Sequence, residues 1–192
     1  MQISLPLANL EVLQQIHPLL AKKNVTWLVG GSCGLLLQGV TIAQPPRDLD
    51  IYVDTDAAAA VYEGLQSYAT DQPLPSQTGI YFSILSHYQI TNVSIEVVAG
   101  FEVITQRSHY KVEVKDFLAE FGVSYELSGK SFGLMPLAHE LVFNILRQRP
   151  DRYRAIAEKM RLNPDEHLTT INKIMERNTF SADFVNKLKG LL

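Results

Sequence analysis

Apolar and polar residues follow two different patterns along this chain, with the change near position 136. Before it, short apolar runs and strict alternation predict β-strands, because side chains of a strand point to opposite faces in turn. These runs lie at residues 25–29, 48–53, 80–85, 93–99, 123–127 and 131–135. The last two runs flank Ser-Gly-Lys, which predicts a hairpin.

Helical spacing of apolar residues appears early in the chain and dominates after position 136. Residues 7–23 predict a helix that is kinked or split at Pro18. Residues 33–38 predict a short helix closed by Gly39, and Thr55 is expected to cap a helix of about twelve residues. The C-terminal helices are predicted at 136–146, 151–161, 164–177 and 182–191, with Asn163 and Ser181 as N-caps.

The two proline-containing segments 40–47 and 71–79 are predicted to be loops. Together the elements predict an α/β (α+β) fold, in which a mixed sheet with flanking helices is followed by a C-terminal helical region. We expect the α/β domain to span residues 1–135 and the helical region residues 136–192.

Composition narrows the class of protein. Apolar residues make up 46% of the 192 residues and charged residues 19%, as in globular domains. No apolar run is long enough to cross a membrane and no signal-like segment begins the chain, so we expect a cytoplasmic protein that binds no membrane. A single cysteine, Cys33, excludes an internal disulfide and a thiolate zinc site. The net charge of −3 gives the whole protein no attraction for duplex DNA.

The most informative stretch runs from residue 27 to residue 54. An apolar run breaks at Gly30 and Gly31 and passes through Ser32 into the short helix, which predicts strand, turn and helix. Glycines let a ligand approach the backbone, and N–H groups at a helix start suit a phosphate. Asp48 and Asp50 follow on the second strand, where period-two geometry points both carboxylates to one face. The combination suggests a divalent metal that holds a nucleoside triphosphate.

A phosphoryl transfer of this type also needs a third ligand or a base. Within Val-Ser-Ile-Glu-Val-Val, Glu96 lies on the polar side of an otherwise apolar strand, where a lone acid needs a partner or a metal. Glu96 is therefore the candidate third carboxylate. Glu102, beyond Gly100, is the second choice.

In order and spacing, these motifs resemble the nucleotidyltransferase superfamily, in particular the small lincosamide and aminoglycoside adenylyltransferases and the toxin components of abortive-infection systems. The resemblance rests on the Gly-Gly-Ser turn at 30–32, the helix ending at Gly39, Asp-Leu-Asp at 48–50 and the later acid on a strand. It covers roughly the first half of the chain and fits the helical C-terminal region more loosely.

The resemblance implies a nucleotidyltransferase-like mixed sheet and a metal-dependent enzyme. In that family the Gly-Gly-Ser turn holds the triphosphate and three carboxylates bind two metal ions. The implied catalytic residues and metal ligands are Asp48, Asp50 and Glu96. The implied nucleotide-binding residues are Gly30, Gly31, Ser32 and Arg47. The expected cofactor is Mg²⁺ or Mn²⁺, and the expected donor is ATP or another NTP.

Two positions depart from the family pattern. The link before the aspartates keeps only Arg47 as a positive charge, and the helix after Pro136 lacks the lysine often found there, with Arg147 a turn further on. These departures keep a second function open, namely a catalytically inactive nucleotide-binding or regulatory protein on the same fold. The acceptor hydroxyl of an active enzyme belongs to a small molecule, a protein or an RNA, and the sequence does not choose among them or specify an oligomeric state.

Other candidate residues have plainer interpretations. A basic cluster after residue 146 either faces a triphosphate or acidic substrate or is a solvated helix face; its members are Arg147, Arg149, Arg152 and Arg154. The five histidines show no metal-ligand spacing. Cys33 lies between apolar neighbours and is interpreted as a small buried residue.

Overall fold

A computed structural model describes residues 4–192 of the chain. Within this range the strands form one eight-stranded mixed sheet, in the order β3-β4-β5-β2-β1-β8-β7, with β6 paired to β5. The strands are β1 (Leu28–Val29), β2 (Asp48–Val53), β3 (Leu74–Thr78), β4 (Tyr81–Ile90), β5 (Val93–Ile104), β6 (His109–Lys111), β7 (Val123–Leu127) and β8 (Lys130–Leu134).

Helices cover both faces of the sheet. In the described range they are α1 (Leu7–Ala21), α2 (Gly31–Leu37), α3 (Ala58–Leu65), α4 (Leu137–Leu146), α5 (Pro150–Met160), α6 (Asp165–Arg177) and α7 (Ala182–Leu191). α1 and α3 pack on one face and α4 to α7 on the other, so the apolar core has two layers. No helix in residues 4–192 is both long and apolar enough to span a membrane.

Successive side chains of β2 point to opposite faces of the sheet. Leu49 and Ile51 are fully buried against the α1 and α3 layer. Asp48, Asp50 and Tyr52 therefore face the α4 side, as the pleat of a strand requires. β2 runs parallel to β5 and antiparallel to β1, so it lies near the centre of the sheet with a neighbour on each side.

The predicted fold class is confirmed, and most predicted elements are present with bounds shifted by a few residues. β2 and α7 have the predicted bounds, and residues 7–21 form one continuous helix with Pro18 inside it. The first strand is shorter than expected, because only Leu28 and Val29 pair with β2.

The predicted loop at 71–79 is wrong, because residues 74–78 form the edge strand β3. Pro75 pairs in register with Ile84 at the outer edge of the sheet, where a residue without an N–H is tolerated. The prediction for Thr55 is also wrong, since Asp54 takes the N-cap position and a 3₁₀ turn, Thr55–Ala57, precedes α3.

A bulge in β5 changes which side chains share a face. Against β4, Ala99 pairs with Ile84 and Glu102 with Phe82, so β5 has one extra residue between these pairs. Gly100 adopts φ +58° there, and a Cβ at this position would collide with the Thr55 hydroxyl. The extra residue shifts the alternation beyond it.

Candidate active site

A cleft of about 400 Å³ lies between the α4 face of the sheet and the beginning of α5. Its lining has three kinds of groups: carboxylates on β2 and β5, arginines around α4 and α5, and uncharged side chains of β3 and β4. The candidate residues that line it are Gly31, Ser32, Arg47, Asp48, Asp50 and Glu96.

The glycine turn packs directly against β2. Gly31 adopts φ +57°, and a Cβ on it would collide with a carboxylate oxygen of Asp50. A Cβ on Gly30 would lie 2.5 Å from the ring of Tyr52. Both glycines are therefore required by close packing as well as by backbone conformation.

Both glycine N–H groups already have partners within the protein. The Gly30 N–H donates to the carbonyl oxygen of Asp50 at 3.1 Å. The Gly31 N–H donates to Oε1 of Glu140 at 2.7 Å. These two N–H groups are therefore engaged within the protein, and Ser32, which lines the cleft, is the remaining residue of the turn.

The parallel register of β2 and β5 brings the three predicted carboxylates onto one face. Asp48 pairs with Ser94, and Asp50 pairs with Glu96. Because paired residues of neighbouring strands point to the same side, Glu96 lies beside Asp50 and Asp48 at the cleft. Glu102 lies beyond the β5 bulge, faces away from the cleft and accepts a hydrogen bond from Nε2 of His109 at 2.6 Å.

The carboxylates are in an environment that disfavours their negative charges. Burial raises the pKa of Asp50 well above its usual range, and the charges of Asp48, Glu96 and Glu140 raise it further. Burial, followed by the charge of Asp48, also raises the pKa of Glu96. A bound cation would offset the repulsion between these negative charges, which water screens only partly in a half-buried site.

The donor set fits magnesium in its chemistry. Within residues 4–192, no three His, Cys, Asp or Glu side chains already converge into a cage for a metal ion. Mg²⁺ is seldom held in such a cage, because it keeps several waters and takes one or two carboxylates together with substrate phosphates. Asp48, Asp50 and Glu96 would supply hard oxygen ligands, and burial together with neighbouring negative charges raises the pKa values of Asp50 and Glu96.

Glu96 has a histidine partner on β4. Nε2 of His87 lies 3.4 Å from Oε2 of Glu96, and Nδ1 of the same ring lies 2.5 Å from Oδ2 of Asp71. The other Asp71 oxygen accepts the backbone N–H of His87 at 2.7 Å. Despite partial burial, the carboxylates of Asp71 and Glu96 raise the pKa of His87. His87 thus lies between the carboxylates of Asp71 and Glu96 and helps to fix the position of Glu96.

Glu140 is the functional candidate that the sequence prediction missed. Its carboxyl group is 1% exposed and accepts the Gly31 N–H, so it connects α4 to the glycine turn. Burial raises the pKa of Glu140 to about 7, although the Gly31 hydrogen bond and the charge of Arg147 act in the opposite direction. The available signal was the polar spacing of Glu140, Asn144 and Arg147 on one side of an apolar helix.

Four arginines contribute the positive charge of the cleft: Arg47, Arg147, Arg149 and Arg152. Arg147 lies over the Phe143 ring at 4.4 Å and donates to Oδ1 of Asn144 through Nε and Nη2. Burial lowers the pKa of Arg152, and the nearby charges of Arg149 and Arg147 lower it further. Three members of the predicted basic cluster therefore face the cleft, whereas Arg154 is exposed and is not part of the lining.

Uncharged groups of β3 and β4 form another part of the lining. The hydroxyl-bearing side chains there are Ser76, Thr78, Tyr81 and Ser83. The Tyr81 ring stacks on Phe101 with 6.1 Å between centroids.

Cys33 lies outside this cleft and is fully buried behind β2. Its thiol donates to the Asp48 carbonyl at 3.3 Å, and burial raises the pKa of this thiol.

The sequence of this chain matches one family model, and its fold matches several solved structures. A family model described as aminoglycoside-2''-adenylyltransferase matches residues 12–97, a segment that contains the glycine turn and all three carboxylates. No curated protein matches the chain.

Two solved proteins share the fold. A Thermotoga maritima protein described as a candidate nucleotidyltransferase, TM1012, is 21% identical, with a TM-score of 0.65 over 84% of this chain and 96% of its own. The adenylyltransferase ANT(2'')-Ia, solved with adenylyl-2''-tobramycin, is 9% identical, with a TM-score of 0.50 over 88% of this chain and 98% of its own. At these identities the likeness concerns the fold. The family match over residues 12–97 and this shared fold together support a relationship to the nucleotidyltransferase superfamily.

Proposed function

We propose that this protein is a metal-dependent nucleotidyltransferase that moves a nucleoside monophosphate from a nucleoside triphosphate, with ATP as the donor, to an acceptor hydroxyl. The observation that carries the proposal is the parallel register that pairs Asp50 with Glu96 on the face of Asp48. Three carboxylates on one face, next to a glycine turn and an arginine cluster, suit a triphosphate and its metal ions.

Each group has a distinct task in the proposed reaction. Asp48 and Asp50 would hold the metal, and Glu96 would complete the site and take the proton of the acceptor hydroxyl. The acceptor oxygen then forms a bond to the α-phosphorus, while the bond from the α-phosphorus to the bridging oxygen breaks and pyrophosphate leaves. When bound, Mg²⁺ supplies Lewis-acid stabilisation of the negative charge on the phosphates.

The triphosphate has two sources of contacts on this chain. At the glycine turn, Gly31 and Ser32 line the cleft, and Ser32 offers its hydroxyl to the phosphates. Arg147 and Arg152 also line the cleft and supply positive charge, although α4 lacks the expected family lysine. Arginine binds phosphate oxygens through paired N–H donors and replaces the lysine charge.

Isothermal titration with a non-hydrolysable ATP analogue and Mg²⁺ tests the proposal. We expect wild-type protein to bind and the double variant Asp48→Ala with Asp50→Ala to lose binding. Glu102→Ala is the matched control, because Glu102 faces away from the cleft on the same strand as Glu96. Absence of binding to the wild type, or equal binding to the double variant, would contradict the proposal.

The second candidate, a nucleotide-binding module without transfer activity, is favoured by one observation. Glu140 occupies the Gly31 N–H and places a carboxyl group directly behind the turn. Incubation with labelled ATP, Mg²⁺ and pools of small-molecule, RNA and protein acceptors separates the two functions. An enzyme transfers the label to an acceptor, whereas a binding module shows affinity for the nucleotide without transfer.

A further inference from the structure

The charged groups around the cleft restrict the chemical class of the acceptor. The lining holds four arginines, and within residues 4–192 its acidic side chains are limited to Asp48, Asp50 and Glu96. In the proposed reaction these three carboxylates are ligands of the metal ions. They are then unavailable to an ammonium group on the acceptor.

The acidic groups next to the lining also have partners of their own. Asp151 receives two hydrogen bonds from Arg149, from Nε to Oδ1 at 2.9 Å and from Nη2 to Oδ2 at 2.7 Å. Asp71 binds both the ring and the backbone N–H of His87. Glu140 is buried beneath the glycine turn and bonded to Gly31.

The loaded cleft offers a cationic acceptor no free negative charge. Two divalent ions and a fully ionised triphosphate roughly cancel one another in charge. Arg47, Arg147 and Arg152 then balance the three carboxylates and Arg149 balances Asp151, so the loaded cleft keeps no net negative charge for an ammonium group. An ammonium group placed there would lose its water and gain no carboxylate, and it would lie near guanidinium groups of like charge. Burial lowers the pKa of Arg152 and the charges of Arg149 and Arg147 lower it further, so an added positive charge beside this residue is disfavoured.

Resting on the proposed function, we infer that the acceptor is a hydroxyl compound without ammonium groups, either uncharged or anionic, and not a polycationic aminoglycoside. The wall of Ser76, Thr78 and Ser83 offers it neutral hydrogen-bonding groups, and the Tyr81 ring offers an apolar face. This acceptor class differs from that of ANT(2'')-Ia, whose solved complex holds an adenylylated tobramycin.

Tobramycin is the probe, because it carries several ammonium groups and hydroxyls on one small molecule. We would follow its binding by NMR titration at low salt, with and without the ATP analogue and Mg²⁺, and its adenylylation by pyrophosphate release from ATP. We expect the wild type to bind it with a dissociation constant weaker than about 1 mM, the affinity at which binding is worth only about 4 kcal/mol. No tobramycin-dependent pyrophosphate release is expected.

A pair of variants tests the charge argument directly. Arg149→Gln removes the partner of Asp151 and leaves a free carboxylate at the rim of the cleft. This variant should bind tobramycin about two- to fivefold more tightly, the range of an exposed ion pair. The matched control Arg149→Gln with Asp151→Asn should lose that gain.

The outcomes separate the two levels of inference. Adenylylation of tobramycin by the wild type, or binding tighter than about 1 mM, would overturn the acceptor class alone. Equal tobramycin affinity in the wild type, the single variant and the double variant would also overturn it. Failure of the wild type to bind the ATP analogue would overturn the proposed function, and the acceptor class with it.

Discussion

At the scale of single residues, the site depends on contacts that leave no space for an added atom. Gly31 combines a positive φ with a carboxylate oxygen of Asp50 at the position of a Cβ. Any side chain there must move Asp50 or the turn, and Asp50 is one of the proposed metal ligands. The glycine turn and the aspartate pair therefore behave as one unit, although they are separated in the chain.

Gly31→Ala is expected to reduce both stability and nucleotide binding. Gly79→Ala is the matched control, because Gly79 has nearly the same φ of +59° but open space around its Cβ position. The control variant should lose about 1–2 kcal/mol of unfolding free energy for the left-handed backbone and keep its affinity for the ATP analogue. Gly31→Ala should lose more stability in urea denaturation and bind the analogue much more weakly; equal behaviour of the two variants would contradict this account.

At the scale of elements, the important connection is between α4 and the glycine turn. The hydrogen bond from Gly31 to Glu140 spans 109 positions of sequence and joins the first half of the chain to the helical region. Asn144 continues this polar line, since it donates to the Glu140 backbone carbonyl at 2.7 Å and accepts from Arg147. Movement of α4 would consequently move the turn and an arginine of the cleft together.

The buried carboxyl group of Glu140 should make stability depend on pH. Its pKa is raised to about 7 in the folded protein, whereas the ordinary value is 4.5. Between these values the folded state holds a proton that the unfolded state releases, so stability falls as pH rises from 4.5 to about 7. This shift corresponds to roughly 3 kcal/mol.

Glu140→Gln should remove that part of the pH dependence, because glutamine keeps the acceptor for the Gly31 N–H and cannot ionise. Urea denaturation of both proteins across the same pH range measures the difference, with the variant gaining relative stability as pH rises. Parallel curves for the two proteins would show that Glu140 does not titrate in this range. Glu140→Ala, which leaves the Gly31 N–H without its acceptor, should be less stable than Glu140→Gln at every pH.

The two predicted N-caps of the C-terminal helices differ in the structure. Oγ of Ser181 accepts the backbone N–H of Phe184 at 3.2 Å, which confirms the prediction for α7. The prediction for Asn163 is wrong, because Pro164 takes the cap position of α6 and no side chain caps this helix. Ser181→Ala should cost about 1 kcal/mol of unfolding free energy, and Asn163→Ala should be nearly neutral. Equal losses in urea denaturation would contradict the assigned caps.

At the scale of the whole molecule, the cleft combines parts from distant regions of the chain. The sheet contributes the carboxylates and the hydroxyl wall, and the start of the helical region contributes three of the four arginines. Opposite charges thus come from different layers of the fold. A ligand that contacts both layers would stabilise the native state, because the unfolded chain does not assemble this arrangement.

Addition of the ATP analogue with Mg²⁺ should accordingly raise the melting temperature. At a ligand concentration one hundred times the dissociation constant, the gain in unfolding free energy is about 2.7 kcal/mol. Removal of Mg²⁺ with EDTA should abolish the shift, and so should Asp48→Asn combined with Asp50→Asn. A shift of the same size without Mg²⁺, measured by scanning calorimetry, would contradict metal dependence.

Local patterns were enough to determine several features of this protein. Alternation alone places Asp48 and Asp50 on one face of a strand, and paired glycines before a helical run indicate a tight turn at 30–31. The helices after position 136 follow from the spacing of their apolar residues. These signals depend on neighbours within a few positions, which a sequence displays directly.

Only the tertiary structure decided which distant residues meet. Glu96 lies next to Asp50 because β2 and β5 are parallel neighbours, and the bulge at Gly100 turns Glu102 to the other face. The edge strand β3 forms because β4 offers it a partner, despite Pro75. The bond between Glu140 and Gly31 joins separate layers. Strand order, register and helix packing arise from contacts between residues far apart in the chain, and periodicity within one segment carries no information about them.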